Sequence, residues 1–464
     1  MLVIGWKGVC ATLSMWRWTM ARKRMAFIRT FGCQMNQRDT ETIRGLLQKD
    51  GYSFTEHAEE ADLVLFNTCC VRENPERKVY GQVGQLKEVK ASKPGMIIGI
   101  CGCMPQQREE LTQLLERLPH VDLFFGTHNI YRLPELLHRI YATGERIVEI
   151  WDETGEPVEG LPALRDSNFK AWVTVMHGCN NFCSYCIVPY VRGREHSRSP
   201  QAILEEVQSL AQEGIKEITL LGQNVNSYGQ DLKSELDFAD LLEELDQVRG
   251  VQRIRFTTSH PKDISDKLIR QLARLEKVCE HLHLPVQAGS NDVLRRMNRG
   301  YSREYYLQLV EKIRSNVPDI SLTSDIMVGF PGETEADFAD TLSLVEEVGY
   351  DAAFTFMYSP RKGTPAMEMS DQVPEEIKKE RIYQLIELQN RISLERNQRL
   401  VGRKMEVLVE GTSKNDAHLL TGKTRTAKTV LFPGSQDLVG RLVNVRIKEA
   451  QTWSLTGEMI QEDM

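Results

Sequence analysis

WVTVMHGCNNFCSYCIVPYVRGRE, residues 172–195, is the stretch from which the rest of the chain can be read. Residues 172–176 have the apolar, β-branched pattern of a buried strand, and three cysteines follow at once: Cys179, Cys183 and Cys186, spaced CxxxCxxC. Thiols in the loop at the carboxyl end of a strand stand where βα barrels hold their chemistry. Three thiolates suit a cubane iron–sulfur cluster with one iron left open to an external ligand. Two other readings share this spacing: a zinc site completed by His177 or His196, and three merely buried thiols. A ferredoxin-type carrier uses a fourth cysteine, and none lies near.

Outward from this loop the pattern repeats. Strands are expected at 172–176, 217–221, 253–258, 281–286, 322–328 and 352–358, with helices between them such as 200–212, 263–275 and 303–316. Six βα units over residues 169–399 make a barrel two units short of eightfold closure, with a lateral opening able to admit a macromolecule. Residues 374–400 read as a long charged helix ending before Gly402. Upstream, residues 25–144 also alternate. Strands are expected at 26–30, 62–67 (DLVLFN), 96–100 (MIIGI) and 121–125, and helices at 36–49, up to about 90, 105–117 and 130–141. Continuous apolar strands between helices mean a parallel sheet covered on both faces. Residues 150–168, with Gly, Pro and acidic residues and no periodicity, form a linker. In the tail, MEVLVEG, HLLTGKT, KTVLFPG and RLVNVRI are short β-rich runs divided by Gly and Pro, the pattern of a small antiparallel barrel. The expected class is therefore α/β, with segments 1–24 (a disordered extension, or a start placed too early, with Met20 or Met25 as the true beginning), 25–145, a linker 146–168, 169–400 and 401–464.

The 464 residues suit about three domains, and 41% hydrophobic with 27% charged residues is the balance of a globular protein rather than a disordered or fibrous one. No apolar run is long enough to cross a membrane. Ten cysteines are too few for a disulfide-stapled chain of this length and are bunched, which points to metal ligation in the reducing cytoplasm. A net charge of −7 argues against wholesale coating of nucleic acid. Residues 391–450 nevertheless hold twelve Lys and Arg against six Asp and Glu, a local footprint for a polyanion.

A second constellation emerges once the strands are placed. Cys33, Cys69 and Cys103 each follow a strand of the N-terminal sheet, so parallel strands bring all three to one edge, outside the carboxyl ends. Gly32 and Gly102 precede two of them and allow close backbone approach. Cys70 and Cys101 sit beside these, and alternation along a strand is expected to turn each away from its neighbour. Cys10 and Cys279 stand alone.

TFGCQMN (30–36), FNTCCVRENPERKV (66–79), GCMPQ (102–106), HGCNNFCSYCIVPYVRGRE (177–195), LLGQNVNSYG (220–229), LPVQAGSNDVLRRMNRGYSREYY (284–306) and SDIMVGFPGETEADF (324–338) together resemble the methylthiotransferases of the radical S-adenosylmethionine (SAM) superfamily. The resemblance runs from about residue 25 to the end. It implies two [4Fe–4S] clusters, an auxiliary one on Cys33, Cys69 and Cys103 and a SAM-binding one on Cys179, Cys183 and Cys186, with Tyr185 near the SAM adenine. It places Cys69 as the ligand although Cys70 stands where a small residue is usual, and it likens the tail to a TRAM-type RNA-binding barrel. The implied reaction adds a methylthio group to C2 of N6-isopentenyladenosine beside the tRNA anticodon, through a SAM-derived 5′-deoxyadenosyl radical, with sulfur from the auxiliary cluster. Threonylcarbamoyl-adenosine in tRNA, or an aspartate of a ribosomal protein, are the alternative substrates within the family. A non-catalytic iron–sulfur RNA-binding protein is the alternative outside it. An external electron donor, a tRNA partner and a monomer complete the expectation, with Lys423, Arg425 and Lys428 holding phosphates.

Overall fold

The computed structural model describes residues 23–460 apart from 71–72, 154, 156 and 234. The expected extension, Cys10 included, lies almost wholly outside the described residues.

The N-terminal domain runs β1 (Met25–Thr30), α1 (Gln34–Lys49), β2 (Ser53–Phe54), β3 (Leu63–Thr68), α2 (Glu73–Ser92), β4 (Ile97–Gly102), α3 (Cys103–Gln106), α4 (Arg108–Arg117), β5 (Leu123–Phe125), α5 (Leu133–Thr143) and β6 (Ile147–Glu149). All strand pairs are parallel, in the order β2-β1-β3-β4-β5-β6. The apolar runs divide by alternation: Val64, Phe66, Ile98 and Ile100 enter one layer, and Leu63, Leu65 and Ile97 the other. Each such buried side chain contributes about 1.5–3 kcal/mol, so neither face can be left open to water.

Two details differ from the expectation, and a third agrees with it for a different reason. The helix at 105–117 is broken at Gln107, whose backbone is extended, into α3 and α4. Two strands too short to show a periodicity, β2 and β6, border the sheet, and β6 carries it to Glu149, past the boundary at 145. Cys101 and Cys103 are two apart, so strand alternation alone would put both on one face. Gly102, at φ 92°, ends the strand and turns Cys103 into the opposite layer from Cys101.

The central domain comprises β7 (Lys170–Thr174), the hairpin strands β8 (Met176–His177) and β9 (His196–Ser197) with α6 (Val188–Val191) between them, α7 (Pro200–Gln212), β10 (Glu217–Leu221), α8 (Phe238–Asp246), β11 (Arg253–Thr257), α9 (Asp266–Arg274), β12 (His281–His283), α10 (Asn291–Arg296), α11 (Arg303–Asn316), β13 (Ser321–Val328), α12 (Glu335–Val348), β14 (Ala352–Met357) and α13 (Glu375–Gln398). The six barrel strands form two parallel sheets, β11-β10-β7 and β12-β13-β14, joined by the bridge Ile254–Val278. Among the described residues β7 and β14 have no strand partner on their outer edges, so the barrel is open between them. One large apolar layer packs these strands against α7, α8, α9, α11, α12 and α13.

The tail closes as a five-stranded barrel, β15 (Lys404–Thr412), β16 (Leu419–Thr424), β17 (Thr429–Pro433), β18 (Leu442–Ala450) and β19 (Leu455–Met459), in the order β15-β16-β17-β19-β18. β19 is an addition to the four expected strands, and its pairing with β17 is parallel. This barrel packs under the central one, at the amino ends of its strands. Lys170 at the start of β7 meets Glu410 at 2.6 Å, and Arg253 at the start of β11 meets Glu406 at 2.8 Å. Arg425 pairs with Glu280 at 2.7 Å and Lys428 with Asp351 at 2.8 Å, each acid standing just before a barrel strand. Lys423 is tied to Thr429 Oγ1 at 2.7 Å. The expectation that Lys423, Arg425 and Lys428 hold phosphates is corrected here: these cations are engaged within the protein, two of them across the domain interface.

Candidate active site

The contiguous cysteines lie on the loop that leaves β8. The Cys179 amide donates to Gly193 O at 3.1 Å, which closes residues 179–193 into a ring of chain ending at the β8–β9 hairpin. Asn180, whose amide donates to Glu195, pins the same ring. Cys183 is buried, and Cys179 and Cys186 are partly exposed. Burial pushes the Cys179 thiol up to about 11, and burial followed by the neighbouring Cys183 pushes Cys186 up to about 12. Bare thiolates are thus disfavoured, and cationic metal is what would hold three of them together. Arg299, buried, donates to Cys183 Sγ at 3.3 Å and Tyr185 Oη at 3.4 Å, and its Nε donates to Tyr301 Oη at 3.0 Å. Tyr185 stands edge-on to Phe330, in the apolar cluster of Met297 and Tyr358.

Beside this loop, at the carboxyl ends of β10 and β11, five buried polar atoms lack a hydrogen-bond partner: Gln223 Oε1, Asn224 Oδ1, Asn226 Oδ1, Ser259 Oγ and His260 Nε2. An unpaired buried polar atom costs about 1–3 kcal/mol, and five on one rim mark a place built for a polar ligand. The residues present fit a zwitterion such as SAM next to a three-thiolate cluster.

The dispersed cysteines lie along one edge of the sheet, as the strand order requires. β1, β3 and β4 are adjacent and parallel. Cys33 caps α1 just after β1, Cys69 follows β3 and Cys103 opens α3 after β4. A Cβ on Gly32, whose φ is 127°, would stand 2.5 Å from Cys69 Cβ, and one on Gly102 would stand 2.4 Å from Thr68 O, so both glycines bring backbone where a side chain cannot go. Asn36, fully buried, ties the edge together: it accepts from Cys33 Sγ at 3.4 Å and donates to Thr68 O at 2.8 Å and Phe31 O at 3.2 Å. Cys70 packs in the same layer as Cys103 and hydrogen-bonds it, and that bond, opposed by burial and aided by Arg192, lowers Cys103 to about 6. Cys101 is buried in the other layer and Cys279 beside Arg255 in the central domain, away from both groups. Among the described residues no three His, Cys, Asp or Glu side chains are placed to hold a single metal ion.

The two groups adjoin. Ile187, directly after Cys186, and Val191 are part of the same apolar cluster as Cys70 and Cys103. Arg192 follows, and its buried guanidinium donates to Asp39 Oδ2 at 2.7 Å and Asn36 Oδ1 at 3.0 Å. A cavity of about 860 Å³ lies alongside, between α1, the linker and β7, lined by Arg38, Asp39, His128, His177, Arg192 and Arg198. Burial holds His177 near 3 and His128 near 4, so both are neutral. The sequence reading missed Arg192, Arg299 and Asn36. Their motifs, VRGRE, MNRGY and CQMN, marked the right neighbourhoods, but no spacing within them announces a role.

Comparison with known proteins places this arrangement. Residues 173–345 match the radical SAM superfamily, 25–126 the family described as "Uncharacterized protein family UPF0004", and 398–460 the TRAM domain. Among solved structures, the radical S-adenosylmethionine methyltransferase TsrM from Kitasatospora setae, with cobalamin and a [4Fe–4S] cluster bound, shares the fold at TM-score 0.53 and 14% identity, over 74% of this chain and 77% of that one. The chain is thus of the radical SAM class, with a cysteine-bearing domain before the barrel and a TRAM domain after it. The tRNA-2-methylthio-N(6)-dimethylallyladenosine synthase of Thermoanaerobacter sp. (strain X514) is 55% identical over 94% of this chain and 92% of its own. That of Carboxydothermus hydrogenoformans is 55% identical over 94% and 99%, and that of Clostridium perfringens (strain 13) 54% over 95% and 98%. The chain belongs to the family of tRNA-2-methylthio-N(6)-dimethylallyladenosine synthases.

Proposed function

We infer that this chain is a radical SAM transferase that places a methylthio group on C2 of N6-dimethylallyladenosine beside the tRNA anticodon. Cys179, Cys183 and Cys186 would hold the SAM-binding [4Fe–4S] cluster, and Cys33, Cys69 and Cys103 the auxiliary one. The observation that carries the reading is the junction of the two cysteine groups through Ile187, Val191 and Arg192. When bound, the clusters and SAM supply reductive carbon–sulfur cleavage and a transferable sulfur, chemistry outside the reach of side-chain acids and bases.

The protein's own residues supply placement. The ring closed by Cys179 and Gly193 fixes three sulfurs on one short loop. Arg299 offsets negative charge at Cys183 and holds the Tyr185 hydroxyl. The unpaired atoms of Gln223, Asn224, Asn226, Ser259 and His260 offer a polar ligand its hydrogen bonds. His260, held near 2 by burial and by Arg299, is neutral, so it adds no competing cation. The opening between β7 and β14 is the entry for a nucleotide turned out of its stack, which an anticodon loop permits more readily than a duplex. An external electron donor, action as a monomer and a cytoplasmic setting complete the reading. Among the described residues no helix is long and apolar enough to cross a membrane.

The test is anaerobic reconstitution with iron and sulfide, followed by SAM, a reductant and tRNA bearing N6-dimethylallyladenosine, with nucleoside mass spectrometry of the digest. A methylthio-for-hydrogen mass gain on that nucleoside is expected. Release of 5′-deoxyadenosine without that gain would reassign the substrate, and neither signal from an iron-loaded protein would overturn the reading.

A further inference from the structure

The auxiliary cysteines belong to the N-terminal domain, yet one buried charge at their edge comes from the central domain. Arg192 caps α6 through its amide, which donates to Val188 O at 2.8 Å, and it sits next to Gly193, whose carbonyl receives the Cys179 amide. Its guanidinium crosses the interface in the opposite direction. Nη2 donates to both Asp39 and Asn36, and the charge reaches Cys103 and Cys33. Asn36 in turn accepts from Cys33 and donates to the carbonyl of Thr68, the residue before Cys69. One hydrogen-bonded group therefore touches the surroundings of all three dispersed cysteines and of the first contiguous one.

Burying an arginine is costly unless its partners are fixed, and Arg192 is 5% exposed. Arginine keeps its charge even when buried and presents a rigid fork of donors, whereas lysine carries a point charge that burial weakens and has no such fork. Arg299 is the counterpart at the other triad, but it is contributed by the same domain as the cysteine it meets. The auxiliary edge is different in that the cation arrives from the loop that carries the other triad.

We propose that Arg192 is a positioning residue that completes the auxiliary site, so that this site has its full charge balance only when the 179–193 loop is docked against Asp39 and Asn36. The proposal rests on the assignment of Cys33, Cys69 and Cys103 as ligands. A fixed cation beside a cluster favours its reduced, more negative state, so removing it lowers the reduction potential.

The experiment uses the full chain with Cys179, Cys183 and Cys186 all replaced by Ala, leaving the auxiliary site alone, reconstituted with iron and sulfide. Iron per chain and the midpoint potential are read by an EPR-monitored redox titration. Arg192→Met is expected to shift the midpoint downward, and Arg192→Lys to return part of that shift. If Arg192→Met loads no iron, Asp39→Asn carries the test: it leaves the guanidinium and removes its anion, and the midpoint is expected to rise. A midpoint unmoved in the variant that loads iron overturns the proposal while leaving the ligand assignment intact. Absence of iron in the parent with Arg192 in place overturns both the assignment and the proposal.

Discussion

The two groups of cysteines reach similar ends by opposite routes. Cys179, Cys183 and Cys186 share one loop, and their spacing alone brings them together. Cys33, Cys69 and Cys103 follow three adjacent parallel strands, and only the strand order unites them. A local motif survives so long as its loop folds, whereas the dispersed group is as sound as the sheet beneath it. The difference teaches that the second group is a property of topology. It depends on Gly32, Gly102 and Asn36, which bind nothing in the first.

Breaking each group by turn gives the largest effects. Cys183→Ala is expected to bring 5′-deoxyadenosine release and product to the level of a no-enzyme control, measured by mass spectrometry. Cys103→Ala is expected to remove methylthiolated nucleoside equally completely while 5′-deoxyadenosine release continues. Product from Cys103→Ala would break the comparison, because the second group would then not be a site at all.

Smaller changes sharpen it. Gly102→Ala forces a left-handed backbone and a clash with Thr68 O, a strain of about 1–3 kcal/mol. Thermal melting of the variant should fall, and iron per chain should drop toward that of one cluster. The helix that Cys33 caps also carries Glu41, which burial raises to about 7 against the pull of Arg38 and Arg165. A raised carboxyl contributes stability that is full below its unfolded value near 4.5 and is lost as pH rises through about 7. The melting temperature of the parent should therefore decline between pH 5 and pH 8 more than that of Glu41→Gln, in paired scans on the order of a few degrees. The smallest effect is expected from Cys70→Ser, which keeps the hydrogen bond to Cys103. Iron content and product should match the parent, and loss of auxiliary iron would make Cys70 the ligand in place of Cys69.

The sequence made some of this visible and hid the rest for physical reasons. CxxxCxxC after an apolar strand is legible because ligand spacing and strand pattern are both short-range. That Cys33, Cys69 and Cys103 follow strands sharing one edge was legible because residues 63–66 (LVLF) and 96–100 (MIIGI) carry no polar side chain, the pattern of parallel strands covered on both faces. Arg192 and Arg299 were not legible, since a guanidinium takes its role from partners more than a hundred residues away, Asp39 and Cys183. The same reason misled the reading of the tail. Lys428 and Arg425 look like free cations until Asp351 and Glu280 arrive from the central domain. Strands β2, β6 and β19 escaped because two to five residues carry too little period to stand out.

That floor of ion pairs bears on how such a chain can be rearranged. Four charged residues of the TRAM barrel, Glu406, Glu410, Arg425 and Lys428, pair with residues of the domain next door. Cutting the chain near residue 401 would take their partners from Lys170 and Glu280, and would leave Arg253 with Glu217 at 3.8 Å and Asp351 with Arg396 at 3.2 Å. Grafting a foreign barrel would do the same unless it reproduced four charges in register. The domains of this protein are separable in sequence but share a wall, and a shared wall is inherited whole.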